Sequence, residues 1–323
     1  MLVVRSTHPD VLRNLAAEEF LLGEVPKRRH ILFLWQGRDA VVVGKNQNPW
    51  RECRVKQVEE GGGVVARRVS GGGAVFHDLG NLNYAFFTPR KEYRATHCFD
   101  VVLAALRRLG IPAEMMGRTA LAAGGRKFSG NAFCFQRESA LHHGTLMLST
   151  DLQKLKDYLE PSPNVVRTRA IPSRPSPVMN LAELKPDLTV GALGEAVAAE
   201  FSAACGEPAE QAGDEYLESV AWELKQKHAS WDWRFGTTPP FDVELSGEFD
   251  WGNARLKLYV EKGVIEYAGL SIGGPAEDAA EAVEQALRDC TLEEEEILDR
   301  LKSLEPEVDR WIAREIANWI ATA

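Results

Sequence analysis

Hydrophobic and polar positions in this chain repeat with two periods, one typical of helices and one typical of strands. Apolar residues three and four positions apart predict an amphipathic helix over 11–22 and another over 98–109, which stops at Gly110. Asp151 is suited to cap a helix that continues to Leu159. Further helices are predicted over 190–205, 215–225 and 276–323.

Short runs of β-branched and aromatic residues predict the strands. Gly37, Arg38 and Asp39 separate the first two runs and predict a tight turn between them. Helices and strands mix without a regular strand–helix–strand alternation, which predicts an α+β fold rather than a doubly wound one. The predicted strands are 31–35, 40–43, 64–66, 74–76, 82–87, 143–148 and a further group within 241–272.

Two segments interrupt these patterns. Residues 161–177 contain five prolines, which predict a linker or a long functional loop without regular structure. Residues 235–240 read FGTTPP and precede the last group of strands. We therefore predict two domains, 1–236 and 241–323, in keeping with the 323-residue length.

Charge and cysteine content exclude several classes of protein. The chain has 38 basic and 47 acidic residues, a net charge of −9, which argues against a generic nucleic-acid binder. Its five cysteines are scattered and form no CxxC pair, so neither a disulfide scaffold nor a structural zinc site is expected. With no signal-peptide core and no apolar run near the ~18 residues that span a bilayer, we expect a cytoplasmic protein without membrane or nucleic-acid partners.

The segment from Arg67 to Asn81 is the most informative for function. Its three successive glycines, 71–73, lack side chains, so a ligand can approach the backbone and their N–H groups can bind phosphate or carboxylate oxygens. Arg68 can add a forked cationic donor. The segment is neither a P-loop nor a Rossmann fingerprint. On its own it is equally typical of a flexible loop, and a lone His77 is more typical of a structural histidine.

A second polar segment surrounds Lys127. Glycines at 124 and 125 precede it and a run of small residues follows, so the lysine can meet a carboxylate or a transferring phosphate. The alternative is a solvated turn lysine, which is the more common situation. Two glycine-framed polar strands in one domain favour a shared ligand cleft.

Three motifs resemble the core motifs of lipoate–protein ligases. They read RRVSGGGAVFHDLGNLNYAFF, GRKFSGNAF and HHGTLMLSTDLQKLKDYL. RNLAAEEFLL, WQGRDAVVVGKNQNPWREC and WDWRFGTTPPF are also similar to that family, so the resemblance covers nearly the whole chain. It implies a mixed β-sheet flanked by helices, like that of class II aminoacyl-tRNA synthetases and biotin ligases, with a small α+β C-terminal domain.

The resemblance also implies an ATP-dependent ligase with ATP and Mg²⁺ as cofactors. Lipoate, or octanoate, would be activated to an acyl-AMP and then transferred to a lysine of a carrier, either a lipoyl domain of a 2-oxoacid dehydrogenase or the glycine-cleavage H protein. Lys127 matches the catalytic lysine of the family. The implied ATP contacts are Arg68, Gly73, Ala74, Val75, Phe76 and Lys127. The implied lipoate contacts are Lys127, Ser70, Gly71, Gly72, His77, Ser129, Gly130, His143, Gly144 and Thr145.

One segment departs from the family pattern. Ligases of this family often have Gly-Arg-Asn-Asp-Leu before the lysine, whereas here Thr119 and Ala120 replace the Asn–Asp pair. The metal ligands are therefore unassigned, and two alternatives stay open: a lipoyltransferase that uses preformed lipoyl-AMP, and a non-catalytic protein that binds lipoyl groups or carriers. A thioester mechanism would need a nucleophilic cysteine, but Cys134 lies between two phenylalanines and is expected to be an inert, packed thiol.

Overall fold

The chain folds into two compact units, each built from separate stretches of sequence. A computed structural model describes residues 1–160, 165–206, 208–218, 222–273, 280–304 and 310–321. The first unit comprises 1–45, 62–157 and 173–230, and the second comprises 46–61, 158–172 and 231–323. The second unit thus includes two short stretches that precede its C-terminal segment, and the sequential division into 1–236 and 241–323 stays a prediction.

The strands of the described residues form three sheets. One has eight strands in the order β12-β1-β2-β6-β10-β9-β8-β7, one has three in the order β4-β3-β5, and one has four in the order β11-β13-β14-β15. The strands are β1 (Leu2–Arg5), β2 (Ile31–Trp35), β3 (Ala40–Val43), β4 (Val64–Arg67), β5 (Val75–His77), β6 (Asn81–Pro89), β7 (Glu114–Met116), β8 (Ala120–Ala123), β9 (Arg126–Phe135), β10 (Ser139–Met147), β11 (Val165–Thr168), β12 (Glu210–Ala212), β13 (Phe241–Phe249), β14 (Gly252–Glu261) and β15 (Val264–Ile272).

The described residues also form eleven α-helices. Short 3₁₀ and π-helical turns lie at Leu181–Glu183 and Asp232–Gly236. No described helix is both long and apolar enough to cross a bilayer. The helices are α1 (Val11–Arg28), α2 (Pro49–Glu52), α3 (Val55–Glu60), α4 (Ala95–Arg108), α5 (Leu152–Leu159), α6 (Val190–Cys205), α7 (Asp214–Glu218), α8 (Trp222–Ala229), α9 (Ala280–Leu287), α10 (Glu294–Lys302) and α11 (Arg310–Ala321).

The eight-stranded sheet has an apolar core on each face. On one face Leu34, Leu82 and Phe86 pack in a cluster with residues of α4 and α6. On the other face Phe33 and Ala85 pack in a cluster with residues of α1 and the three-stranded sheet. Because side chains alternate between faces along β9 and β10, each strand presents residues to both cores.

Aspartate side chains cap two helix starts, and the cap at Asp151 was predicted from the sequence. Asp10 caps α1 by accepting from the N–H groups of Leu12 and Arg13, and Asp151 accepts from those of Gln153 and Lys154 at the start of α5. The predicted helix over 190–205 coincides with α6.

The predicted turn between β2 and β3 does not form a hairpin. β2 pairs with β1 and β6 in the large sheet, whereas β3 pairs with β4 and β5 in the small one. The short connection therefore carries the chain from one sheet to another, with Asp39 at a positive φ of 26°. Sequence separation alone does not reveal this change of sheet.

Two further predictions of regular structure were wrong in part. Residues 165–168 form β11, which pairs with β13, because the prolines of this segment lie outside the strand itself. The predicted helix over 276–323 is interrupted, since Asp289 takes a left-handed φ of 59° after α9 and Thr291 bridges to Val264. The predicted helix over 215–225 corresponds to α7 and α8; residues 219–221 between them lie outside the described residues.

Candidate active site

The triple-glycine turn connects β4 to β5 in the small sheet. Gly72 adopts a φ of +88°, which favours glycine, and a Cβ there would lie 2.9 Å from Arg68 Nη2. Among the described residues, the N–H groups of 71–73 donate to no protein acceptor. The turn therefore presents backbone donors that an anionic ligand can use.

Arg68 stabilises this turn through hydrogen bonds. Its Nη2 donates to the carbonyl oxygens of Gly71 and Gly73 at 2.6 and 2.7 Å, its Nη1 donates to Val42 O at 3.0 Å, and its Nε donates to Ser70 Oγ at 3.0 Å. Burial lowers the pKa of the guanidinium to about 10, so it keeps its charge at neutral pH. Arg68 thus shapes the turn and places a positive charge under it, and its predicted contact with ATP stays a prediction.

Lys127 lies at the start of β9 with its ammonium half-buried. Its backbone is fixed by hydrogen bonds with Pro177 O and the N–H of Met179, both at 2.9 Å. The ammonium makes no hydrogen bond or ion pair with any described residue. Burial lowers the pKa of Lys127, and the positive charge of Arg68 lowers it further. A cation in such surroundings favours an anionic ligand.

The turn and the lysine lie on the same face of β9. A Cβ on Gly72 would lie 3.3 Å from Ala132 Cβ, and a Cβ on Gly130 would lie 3.1 Å from Lys127 Nζ. Gly130 also donates its N–H to Thr145 Oγ1 on β10 at 3.1 Å. The two segments singled out from the sequence therefore meet in three dimensions.

A set of buried, hydrogen-bonded polar side chains connects this face of β10 to α1. His143 Nε2 lies 2.6 Å from Ser70 Oγ, and its Nδ1 lies 2.7 Å from Glu18 Oε2. The other oxygen of Glu18 accepts from Trp35 Nε1 at 3.1 Å. Glu18 and Trp35 were not identified from the sequence; the only available signal was a glutamate among the apolar positions of the predicted first helix.

His77 lies against the same group, with its ring 5.4 Å from that of Trp35. It is 4% exposed, and neither ring nitrogen has a hydrogen-bond partner among the described residues. Burial lowers its pKa to about 3, and the charges of Arg68 and His143 act in the same direction. His77 is therefore a neutral ring at physiological pH.

Two of the predicted lipoate contacts lie on the opposite face of the sheet. Ser129 accepts a hydrogen bond from Asn131 Nδ2 at 3.1 Å, and a Cβ on Gly144 would collide with the side chains of Tyr84 and Asn131. Because residues alternate between faces along a strand, these two are separated from Lys127 and His143. The crowding accounts for a glycine at position 144, Ser129 makes a local hydrogen bond, and their predicted contacts with lipoate stay predictions.

The proline-rich segment adds a residue that the sequence did not single out. Ser173 Oγ accepts the N–H of Ala74 at 2.8 Å and lies 3.1 Å from where a Gly73 Cβ would be. After Ala74 the chain enters β5, where Val75 is half-buried and Phe76 is buried. The segment was predicted to be either a linker or a functional loop, and this contact places Ser173 beside the triple-glycine turn.

The position of Ala120 shows where the carboxylate of the family pattern would lie. Ala120 pairs with Gly130 across β8 and β9, and directly opposed residues share a face. A carboxylate at position 120 would therefore point to the face that carries the Lys127 ammonium. The described residues contain no group of three or more His, Cys, Asp or Glu side chains placed to bind a metal.

Two other features lie apart from this face. A cleft of about 610 Å³ between α4 and α6 is lined by Phe86, Phe201 and Cys98 among others, but by none of the predicted site residues. Cys134 is half-buried and packs against the core on the α1 side, and burial raises the pKa of its thiol. This environment agrees with the predicted inert cysteine.

Comparison with known proteins gives matches over both parts of the chain. The sequence model of the lipoyl protein ligase A/B catalytic domain matches residues 10–202, and that of the bacterial lipoate protein ligase C-terminus matches 238–320. The solved structure of P. falciparum LipL1 in complex with lipoate is 27% identical, with a TM-score of 0.66 over 100% of this chain and 99% of that one.

Two more distant structures share the fold. A lipoate-protein ligase A bound with ATP is 23% identical, with a TM-score of 0.63 over 72% of this chain and 97% of that one. A bipartite lipoate protein ligase of Thermoplasma acidophilum, studied with its E2 lipoyl domain, is 22% identical, with a TM-score of 0.62 over 72% and 95%. These findings confirm the predicted resemblance and the mixed α+β fold.

Proposed function

Because this chain belongs to the lipoyl protein ligase A/B family, we propose that it is an ATP-dependent lipoate–protein ligase. In the first half-reaction an oxygen of the lipoate carboxylate attacks the α-phosphorus of MgATP, and pyrophosphate leaves. In the second half-reaction the amine of a carrier lysine attacks the acyl carbonyl, an amide forms and AMP leaves. Lipoyl domains and H proteins are the proposed carriers.

The Lys127 ammonium is the observation that carries this proposal. It is half-buried, has no counter-ion among the described residues and lies on the face that the triple-glycine turn covers. An acyl phosphate would supply a negative charge to the ammonium and acceptor oxygens to the backbone N–H groups. Negative charge grows at the α-phosphate during attack, so a cation fixed beside it stabilises the transition state.

The remaining predicted residues are proposed to support this contact. The N–H groups of 71–73 would donate hydrogen bonds to phosphate or carboxylate oxygens, and Thr145 fixes the backbone at Gly130 beside the ammonium. Trp35, His77 and His143 would enclose the apolar part of the acyl chain on the α1 side. Since the described residues offer no cluster of metal ligands, Mg²⁺ is proposed to enter as part of the MgATP substrate.

The exchange of radiolabelled pyrophosphate into ATP tests the first half-reaction directly. Exchange should depend on added lipoate and should fall at least a hundredfold in Lys127→Met, because the variant keeps an unbranched side chain one atom shorter and loses the charge. Lys154→Met is the matched control, since that lysine pairs with Asp39 rather than with a ligand. Lipoate-independent exchange, or full activity of Lys127→Met, would refute the proposal.

A second candidate function is favoured by Ala120. Without a carboxylate at position 120, the chain would transfer preformed lipoyl-AMP and not make it. Absence of exchange together with transfer from synthetic lipoyl-AMP to a lipoyl domain would identify this lipoyltransferase. Lipoate binding with neither reaction would identify a non-catalytic binding protein.

A further inference from the structure

A continuous chain of buried hydrogen bonds runs from α1 to the triple-glycine turn. Glu18 lies 2.7 Å from His143 Nδ1, and His143 Nε2 lies 2.6 Å from Ser70 Oγ. Glu18 and Ser70 are each 1% exposed and His143 is 8% exposed. Hydrogen bonds so far from water are strong, and an unmet partner within them is costly. The chain therefore constrains its members tightly.

Ser70 is the point at which this chain meets the turn. Its hydroxyl accepts from Arg68 Nε at 3.0 Å, and the same guanidinium donates to the carbonyl oxygens of Gly71 and Gly73. Its carbonyl oxygen accepts the N–H of Lys45 at 2.8 Å. A change at the hydroxyl is thus passed to the turn through Arg68 and through the Ser70 backbone.

We propose that Glu18 and His143 are positioning residues, which fix the hydroxyl of Ser70 and thereby hold the triple-glycine turn in the geometry that receives the acyl phosphate. This inference rests on the proposed ligase reaction. It assigns both residues an effect that is exercised through Ser70 and is separate from any contact with lipoate.

Counting donors and acceptors shows why a carboxylate is needed at position 18. Trp35 Nε1–H and His143 Nδ1–H are two donors that converge on the two oxygens of Glu18. A glutamine offers one oxygen and one NH₂ group, so it can accept from only one of them. If His143 shifts its proton to Nε2 in response, that nitrogen donates to Ser70 instead of accepting from it. The direction of the Ser70 hydrogen bond then reverses.

Several titratable groups surround His143. Glu18 faces it from α1, Arg68 and His77 face it from the small sheet, and His142 is its neighbour on β10. A proton on Nε2 makes that nitrogen a donor. The Ser70 hydrogen would then have to turn towards Gly71 O, which lies 3.5 Å away. This reversal acts on the turn through the Ser70 hydroxyl.

Hydrogen exchange in the ligand-free protein tests the positioning role without relying on catalysis. The amides of Lys45 and Ala74 flank the turn and donate to Ser70 O and Ser173 Oγ. In Glu18→Gln they should exchange at least tenfold faster than in the wild type. Glu19→Gln is the matched control, because Glu19 pairs with Lys227 and His228 on α8 instead. It should leave both amides unchanged.

Kinetics then separate positioning from ground-state binding. Glu18→Gln should lower kcat for lipoate-dependent pyrophosphate exchange tenfold or more with the KM for lipoate within about threefold, since the turn acts on the transition state. Unchanged amide exchange would overturn the inference, as would a raised KM with normal kcat, which indicates a wall of the acyl pocket. If the wild type shows no pyrophosphate exchange, the proposed function fails, while the amide measurement still decides the role of Glu18.

Discussion

At the scale of single residues, two buried histidines make the stability of the first unit depend on pH. Burial lowers the pKa of His77 to about 3, and it lowers that of His142 to about 3 as well, with repulsion from His143 adding to both. Each ring stays neutral in the folded protein while the unfolded chain binds a proton near pH 6.5. Their contribution to stability is therefore present above pH 6.5 and is lost as the pH falls towards 3.

This linkage predicts a specific pH dependence for a histidine variant. Between pH 7 and pH 5 each neutral histidine costs the folded state about 2 kcal/mol, because only the unfolded state takes up the proton. In urea denaturation, His77→Gln should lose about 2 kcal/mol less stability over this range than the wild type. His97→Gln, which changes an exposed histidine, should follow the wild type. An identical pH slope in His77→Gln would show that the His77 ring titrates normally in the folded protein.

At the scale of elements, the position of the Lys127 ammonium depends on strand pairing. β9 pairs with β8 with an irregularity in register at Leu121/Ala122, and this irregularity places Lys127 opposite Ala122 and Gly130 opposite Ala120. The lysine side chain then folds along the strand to the space above Gly130. A residue without a side chain at position 130 is thus a requirement of the site rather than of the sheet.

Filling this space should displace the ammonium without unfolding the protein. In Gly130→Ala the new methyl group would lie 3.1 Å from Lys127 Nζ and 3.2 Å from Cε, so the flexible end of the lysine must move. We expect pyrophosphate exchange to fall about tenfold or more with little change in thermal stability. Gly23→Ala, at an exposed site in α1 with open space around it, should keep full activity and gain about 0.5–1 kcal/mol in stability. Full activity of Gly130→Ala would show that the lysine is not held at this place.

At the scale of the whole molecule, local sequence signals predicted the helices and strands better than they predicted which strands pair with each other. The helix that became α1 and the strands at 31–35 and 40–43 followed from periodicity and turn residues, which act over a few positions. The separation of β2 from β3 into different sheets did not, because it depends on long-range pairing.

The candidate site residues divide in the same way. Ser70 and Lys127 could be identified because they lie in recognisable glycine-rich motifs. Glu18 has no motif of its own, and only the packing of α1 against β10 brings it to His143. Ser129 and Gly144 lie on the other face of the sheet from Lys127, and a motif does not show which face of a strand each residue occupies.

The net charge of the chain bears on how it meets a carrier domain. At −9, long-range forces repel a lipoyl domain that is itself net negative, and this repulsion is screened over about 30 Å at 0.01 M salt and about 10 Å at 0.1 M. Arg126 offers little local compensation, since its guanidinium pairs with Glu183 at 2.8 Å. Raising the salt from 0.01 to 0.1 M should therefore increase kcat/KM for such a carrier about two- to fivefold. Hydroxylamine as a small neutral acceptor of the acyl group should show no such increase, and transfer to the carrier that slows with salt would instead reveal a local basic docking patch.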